Sequence, residues 1–382
     1  MNMRLNNIIL FAAAALMTAC TNPVEPYDAI YMTDAQTSPD KSITIDITPD
    51  GTSLTVSSSV NATEDIQVEI AVDTTLLEAY NKKYEKNYLA APKNSFELST
   101  TNITIKAGHN MSNAAELTIN SIADFKEGST YCLPVTIKST SAMTVLEPSR
   151  TLFVILKTPV ISKAIYLGSN IYKVPSFQQE SSLAALPQVT MEARVYVKRF
   201  ASYDPFISSI MGIEGVFGVR FGDVKVSPNA VQVCHDSYQP AAEGNKFDTN
   251  KWYHVAAVWN GSTFDIYIDG QYATGVPVGG ETIDLTSDNS GGFQIGASYG
   301  GGRPLEGYVA EMRVWTRALS QSEIANNMNY VDPHSEGLLA YWRMNAYEAG
   351  EGGGNIVKDE TGHGHDAKGT ASTPTMMDTK WL

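Results

Sequence analysis

The sequence predicts an all-β protein made of two sandwiches in series, and three observations carry that prediction. Apolar and polar residues alternate at a period of two along most of the chain, turn-forming residues separate the runs, and before residue 160 only one segment has helical spacing. Hydrophobic residues make up 43% of 382 positions, enough to fill the cores of two or three domains. The net charge of −14 argues against nucleic acid or anionic phospholipid as a partner, because either would need a basic footprint.

The chain opens MNMRLNNIILFAAAALMTACTNPVEP. Arg4 precedes an apolar core from Ile8 to Leu16 that is too short to span a bilayer. Thr18 and Ala19 then lead to Cys20 at the place of a cleavage site, so residues 1–19 read as a signal peptide. A polar stretch with Pro23 and Pro26 reads as a tether over 20–37.

From residue 38 the period becomes two. SITIDIT sets Ile43, Ile45 and Ile47 on one face, and Pro49-Asp50-Gly51 turns the chain into SLTVSSS. DIQVEIAV repeats the pattern with Ile66, Val68, Ile70 and Val72. TTLLEAYNKKYEKNY is the helical interruption, with Leu76, Leu77, Tyr80 and Tyr84 at helical spacing. NITIKAG, AELTINS, YCLPVTIKS and TLFVILK return to strands. In YCLPVTI the apolar face is Tyr131, Leu133, Val135 and Ile137, which places Cys132 and Pro134 opposite, as an edge strand would require of proline. Seven or so short strands without a crossover helix make a sandwich over 38–158.

Beyond Lys157-Thr158-Pro159 the strands lengthen and aromatics and glycines increase. In KWYHVAAVWNGSTFDIYIDGQYATG, Asn260-Gly261 and Asp269-Gly270 are two-residue hairpin signals that define a three-strand meander. Phe264, Ile266 and Ile268 face inward there, leaving Asp265, Tyr267 and Asp269 outward. FQIGASYGGGRPLEGYVAEMRVWTRALSQSEI gives a strand, a glycine-rich loop, a second strand and a short helix, with Ser320 and Glu323 as its capping box.

Several of these stretches resemble known families. VDTTLLEAYNKKYEKNYLAAPKNSFEL, then ITIKAG, then EGSTYCLPVTI resembles an N-terminal domain of unknown function carried by Bacteroidetes surface lipoproteins. WYHVAAVWNGSTFDIYIDG, LEGYVAEMRVWTRALSQSEI and GLLAYWRMN…VKDETGHGHDAKG resemble the laminin G-like, concanavalin A-like jelly roll, over 161–382. LMTAC resembles a bacterial lipobox, with Met17 where leucine is usual. Together they imply an immunoglobulin-like β-sandwich followed by a concanavalin A-like (LamG) sandwich, held by lipid on Cys20 at the outer membrane and facing the cell exterior. The function implied is non-catalytic binding of an oligo- or polysaccharide for a Sus-type uptake system. The alternative is an accessory subunit of such a system, docked on its TonB-dependent transporter and lid lipoprotein and handling glycan or peptide without a glycan site of its own.

The residues narrow the chemistry further. A glycosidase needs two carboxylates flanking the scissile bond, and no Glu-x-Asp-x-x-Glu run occurs in 161–382. Asp265 and Asp269 share a strand face, but Asp269 lies in a hairpin turn. Cys234 and His235 are adjacent on a strand and face opposite ways, so a buried thiol is the better reading than a nucleophile pair. With Cys20 lipidated, Cys132 and Cys234 remain, and no disulfide framework follows from two cysteines. His363, His365 and Asp366 lack a third strong ligand for zinc. DETGHGHD reads as a turn in which Asp359 and backbone carbonyls offer calcium a site. YGGGRP and EGGGN lack the lysine of a phosphate loop. Of Trp252, Trp259, Trp315, Trp342 and Trp381, four read as core. Sugar contacts are expected from loops instead: His235, Asp236 and Tyr238 in one, Tyr299 and Arg303 in the other, where an aromatic face adjoins planar hydrogen-bonding groups.

Overall fold

The computed structural model describes residues 28–381, apart from Ser169 and Ser237. The signal peptide and Cys20 lie outside the described residues, among which no helix is long and apolar enough to cross a membrane.

The first sandwich covers a six-stranded sheet with two three-stranded sheets. In spatial order the large sheet runs Asp40–Thr44, Thr151–Lys157, Tyr131–Thr140, Ile66–Val72 and Asn102–Ile105, with Leu89–Ala90 added beside Tyr131 and Cys132. Alternation produces the core directly: Ile66, Val68 and Ile70 meet Leu133, Val135 and Ile137 on the inner face, against Leu117 and Ile119 of the opposing layer. The helical segment is a 3-10 turn, Thr74–Leu76, followed by the α-helix Leu77–Tyr84. The Asp73 carboxylate accepts from Thr75 N at its start, and Leu77 and Tyr80 are buried at its inner face.

Three expectations change here. The strand Ala29–Met32 pairs with Val56–Ser58 and Thr144–Val145, so the fold begins inside the stretch read as a tether. SITIDIT stays on one face only as far as the buried Ile45, and Ile47 is 77% exposed because the strand ends at Thr44. The strand carrying Pro134 is not an edge: it is flanked by Thr151–Lys157 and Ile66–Val72. Proline is tolerated because one neighbour on its N-side, Leu89–Ala90, stops at Cys132 and the other begins at Val135. The missing N–H falls in that gap, while the Pro134 carbonyl still accepts from Asp73 N at 2.9 Å.

The second sandwich packs an eight-stranded sheet on a nine-stranded one. The first has the order Gln271–Pro277, Thr263–Ile268, Trp252–Trp259, Val189–Arg199, Glu306–Trp315, Val160–Tyr166 and Met376–Trp381, with Leu338–Trp342 alongside Glu306–Trp315. The second runs Ala241–Lys246, Val226–Cys234, Phe217–Asp223, Ser208–Ile213, Gln294–Ile295, Tyr172–Lys173, Ala367–Gly369, Asn355–Val357 and Glu348–Ala349. Val189, Met191, Ala193 and Val195 of one sheet meet Phe217, Val219 and Phe221 of the other in one continuous core. Both hairpins and the Ser320/Glu323 capping box form as the sequence indicates. Four of the five tryptophans are buried, Trp252 being the half-buried one. Cys132 and Cys234 are free, buried and in different sandwiches; burial pushes their thiols up to about 12 and about 11.

The two sandwiches adjoin at Thr158-Pro159 and are tied by polar contacts. Arg343 makes two hydrogen bonds to the Glu127 carboxylate, at 3.1 and 2.8 Å. Asn326 Nδ2 donates to the Glu85 carbonyl at 2.8 Å, and Lys380 pairs with Asp46 at 2.6 Å.

Candidate functional site

On the outer face of the nine-stranded sheet, alternation leaves polar residues where the inner face holds phenylalanine and valine. Phe217, Val219 and Phe221 point into the core, so Arg220 points out; Val231 and Val233 do the same for Gln232 and Cys234. Arg220 is nevertheless nearly covered, because its guanidinium is held on every side. Its Nε donates to Gln232 Oε1 at 2.9 Å, Nη1 to Glu214 Oε1 at 2.8 Å, and Nη2 to Asp223 Oδ2 at 2.6 Å.

Glu214 sits in the tight turn between Ser208–Ile213 and Phe217–Asp223 and is the centre of the arrangement. Besides Arg220 its Oε1 receives Arg303 Nη1 at 2.6 Å and the Cys234 thiol at 3.4 Å. Burial on its own would raise the carboxyl; the charges of Arg220 and Arg303 outweigh it and hold the group below the usual carboxylate range. Arg303 lies 4.9 Å over the Tyr299 ring, and Tyr299 is 66% exposed. The loop carrying both is fixed by Ser298 N donating to Gly302 O at 3.0 Å, with left-handed backbone at Tyr299, Gly300, Gly301 and Arg303. Ser209 Oγ donates to Ser298 Oγ at 2.8 Å and anchors that loop to the sheet. The result is an exposed aromatic ring beside a guanidinium and a carboxylate whose positions are set from beneath.

The two loops singled out by sequence meet at this turn but contribute unequally. Asp236 is exposed, and its N–H donates to Gly215 O at 2.9 Å, next to Glu214. His235 does not present itself to solvent as expected, and Tyr238 does so only in part. The His235 ring is buried against Phe264 at 4.8 Å with Nε2 3.1 Å from Glu281, and Tyr238 packs on the core. Both are drawn inward because the strand Val226–Cys234 continues its inner packing through the isolated bridge between these residues. Glu214 and Arg220 were missed by sequence reasoning; the signal was a single arginine on the outward position of the otherwise apolar FGVRF.

Asp359 also departs from its expected role. It is buried, and its two oxygens accept from Tyr341 N at 3.0 Å, Thr361 N at 3.1 Å, Thr361 Oγ1 at 2.8 Å and His365 N at 3.2 Å. A carboxylate surrounded by donors organises a turn and does not fit calcium, which needs those lone pairs. His363 Nδ1 faces the Leu339 carbonyl and His365 lies between Ser176 and Glu180, so each imidazole is engaged separately. Among the described residues no three His, Cys, Asp or Glu side chains are grouped to hold a metal. Asp265 accepts from Thr263 Oγ1 and Asn260, and Asp269 from His254 N, which makes both of them turn-builders.

Two face-to-face antiparallel sheets, with a polar face and loops at one end, define a lectin-type sandwich. Residues 173–325 match the Concanavalin A-like lectin/glucanases superfamily and form a laminin G-type domain of it, while 25–144 match a family described as an N-terminal domain. The chain is similar to a solved structure from Bacteroides ovatus, a proposed carbohydrate binding protein, at 26% identity and TM-score 0.61, over 91% of this chain and 97% of that one. A heptameric SAP-like pentraxin from Limulus polyphemus is more distant, at 17% identity and TM-score 0.36, over 52% of this chain and 94% of its own. No curated protein matches the sequence.

Proposed function

We propose that the protein binds glycan on the outer face of the nine-stranded sheet and does not cleave it. The observation that carries this reading is the Tyr299–Arg303–Glu214 arrangement: an exposed ring beside planar hydrogen-bonding groups whose geometry is fixed before a ligand arrives. A sugar ring has an apolar face and an equatorial rim of hydroxyls, and both find partners there. The likeness to the Bacteroides ovatus protein supports the same ligand class.

The acid–base requirements of cleavage support the non-catalytic half of this reading. Glycoside hydrolysis needs a carboxylic acid held protonated beside a second carboxylate. Glu214 is pushed the other way, because Arg220, which also pairs with Asp223, and Arg303 hold its carboxyl below the usual carboxylate range. Glu192 and Glu311 are fully buried and out of reach of any substrate.

The placement proposed is a lipid anchor on Cys20, at the outer membrane and on the outer surface, serving a Sus-type uptake system. The lipobox-like LMTAC and the pairing of the two domains support it. Affinity gels and calorimetry against plant, host and microbial glycans test the binding. Retention that survives Tyr299→Ala with Arg303→Ala overturns the site, and steady release of reducing sugar overturns the non-catalytic half. Cys20→Ala should abolish labelling by an alkyne fatty acid; labelling that persists removes the anchor.

A further inference from the structure

We propose that the joint between the two sandwiches is a second ligand site, a cleft that takes a segment of a neutral oligosaccharide. It encloses about 590 Å³, within the range of small-ligand sites. One wall is built by the first sandwich, with Lys126 and Glu127, and the other by the second, with Arg317, Tyr330 and Asp332. Neither sandwich alone forms it.

The walls are held apart at a fixed spacing. Arg343 is doubly bonded to Glu127 and lies 5.2 Å over the Tyr330 ring. Asn87 Nδ2 donates to Asn327 Oδ1 at 3.1 Å across the joint. Gly128, at φ +67°, touches Tyr330 so closely that a Cβ there would lie 2.3 Å from the Tyr330 Cβ. These contacts tie the two walls together, and Asn87, Glu127, Asn327 and Tyr330 also line the cleft.

Two of the lining groups, Lys126 and Asp332, are less engaged than Glu127 and Arg317, which pair with Arg343 and Glu323. Among the described residues Lys126 has no carboxylate within ion-pair distance, and the Asp332 side chain accepts only from His334 N, at 2.9 Å. The cleft therefore presents an ammonium donor, a carboxylate acceptor and a tyrosine. Its two basic and two acidic side chains leave no net charge, so the cleft as a whole favours neither an anionic nor a cationic ligand. Hydrogen bonding with one aromatic contact is the recognition chemistry of a neutral polyol. A second cleft of about 740 Å³ has Ser335 in common with the first and is lined by Leu338, Leu339, Glu180 and His363. Its acidic side chains, Glu180 and Glu336, disfavour anionic polysaccharide, and its place next to Ser335 suits a ligand longer than one ring. The inference stands apart from the Tyr299 face and shares with it only the class of ligand.

Hydrogen exchange of the full chain with neutral hexasaccharides of β-glucan, α-mannan and β-fructan tests it. Slowed exchange is expected at amides 126–130 and 327–335, unaffected by Tyr299→Ala. Tyr330→Ala and, separately, Lys126→Ala should each weaken that response about tenfold, as loss of one anchoring contact does. Lys126 makes no ion pair whose loss would disturb folding, so its variant guards against misreading a damaged fold. Protection confined to the turn at Glu214 and the loop 298–303 overturns the cleft and leaves the proposed face intact. Protection confined to the joint supports the cleft and overturns the face. A cleft response only to protein partners, with none to any of the sugars, also overturns this inference.

Discussion

The second sandwich carries an ionic cluster on the outer face of each sheet, and the two differ in what covers them. On the eight-stranded sheet Glu192, His254, Glu311, Arg313 and Tyr341 have no exposed surface. Arg313 lies 3.5 Å from Glu192 and 3.3 Å from Glu311, Trp315 Nε1 donates to Glu192 Oε2 at 2.8 Å, and the Tyr341 hydroxyl donates to Glu311. The helix Gln321–Asn326 and the chain after it form the lid, with Arg313 Nη1 donating to Asn327 O at 2.8 Å. On the nine-stranded sheet Arg220 and Glu214 are nearly as well satisfied, but nothing lies above Tyr299, and Arg303 is only partly covered. On the proposed reading, the same residue types serve architecture when sealed and recognition when open. What separates the two uses is the lid, which is a property of the chain after Trp315 and not of the charges.

If that distinction holds, breaking the sealed cluster should have the largest effect. Glu192→Leu leaves the buried Arg313 with Glu311 and strips the buried Trp315 Nε1 of its acceptor, and breaking a buried ionic network in this way costs about 3–5 kcal/mol. Urea denaturation should show that loss with no change in glycan affinity for the molecules that remain folded. Acid should act on the same cluster. Burial holds the His254 imidazole below its ordinary 6.5, against the pull of Glu192 3.4 Å away. Between its folded value and 6.5 the unfolded chain binds more protons, so its contribution is full above 6.5 and declines as pH falls through that value. Burial would raise Glu192, but His254 and Arg313 bring its carboxyl below 4.5. Its contribution is present above 4.5 and is lost as pH falls through the lowered value. Stability should therefore drop in two stages on acidification, and His254→Gln should remove the first.

A smaller effect is expected at the joint, which covers part of the sealed face through Arg343, bonded to both Glu127 and Glu311. Gly128→Val puts a branched side chain at a left-handed position against Tyr330. The expected cost is about 1–3 kcal/mol. If the joint is a rigid part of the architecture, X-ray scattering should report a changed relation between the sandwiches. An unchanged profile with unchanged stability would show that the close approach at Gly128 is not needed.

The sequence made the architecture legible because strands buried on one face write their period into it, and because Asn-Gly, Asp-Gly and the Ser320/Glu323 box are local signals needing no tertiary information. Pro134 misled because edge position was inferred from a residue, while the real answer is a gap between two neighbours on the same side of a central strand. Tyr299 and Arg303 were readable from their glycine-rich loop. Glu214 and Arg220 were not, since their pairing depends on which strands lie side by side. His235 and Tyr238 looked like loop residues because the end of Val226–Cys234 carries no sequence mark. Asp359 looked like a cation ligand because a turn rich in Asp, Thr and Gly has the same composition whether its carboxylate faces a metal or backbone N–H groups.

The smallest effect on stability should come from the open cluster, and it sharpens the comparison most. Arg303→Ala removes a guanidinium that is partly exposed, and it leaves Glu214 paired with Arg220 at 2.8 Å. No charge is orphaned, so the change in unfolding free energy should stay within about 1 kcal/mol, the range of a partly exposed ion pair. Affinity for the glycan selected by calorimetry should nonetheless fall about tenfold, or about 1.4 kcal/mol, because the stacked, preset donor is gone. Arg303→Lys keeps the charge and loses the planar fork over Tyr299, so it should recover little of that affinity. Recovery to within twofold by lysine would mean that the face reads charge alone. A stability loss as large as that of Glu192→Leu would mean that the open cluster is architecture too.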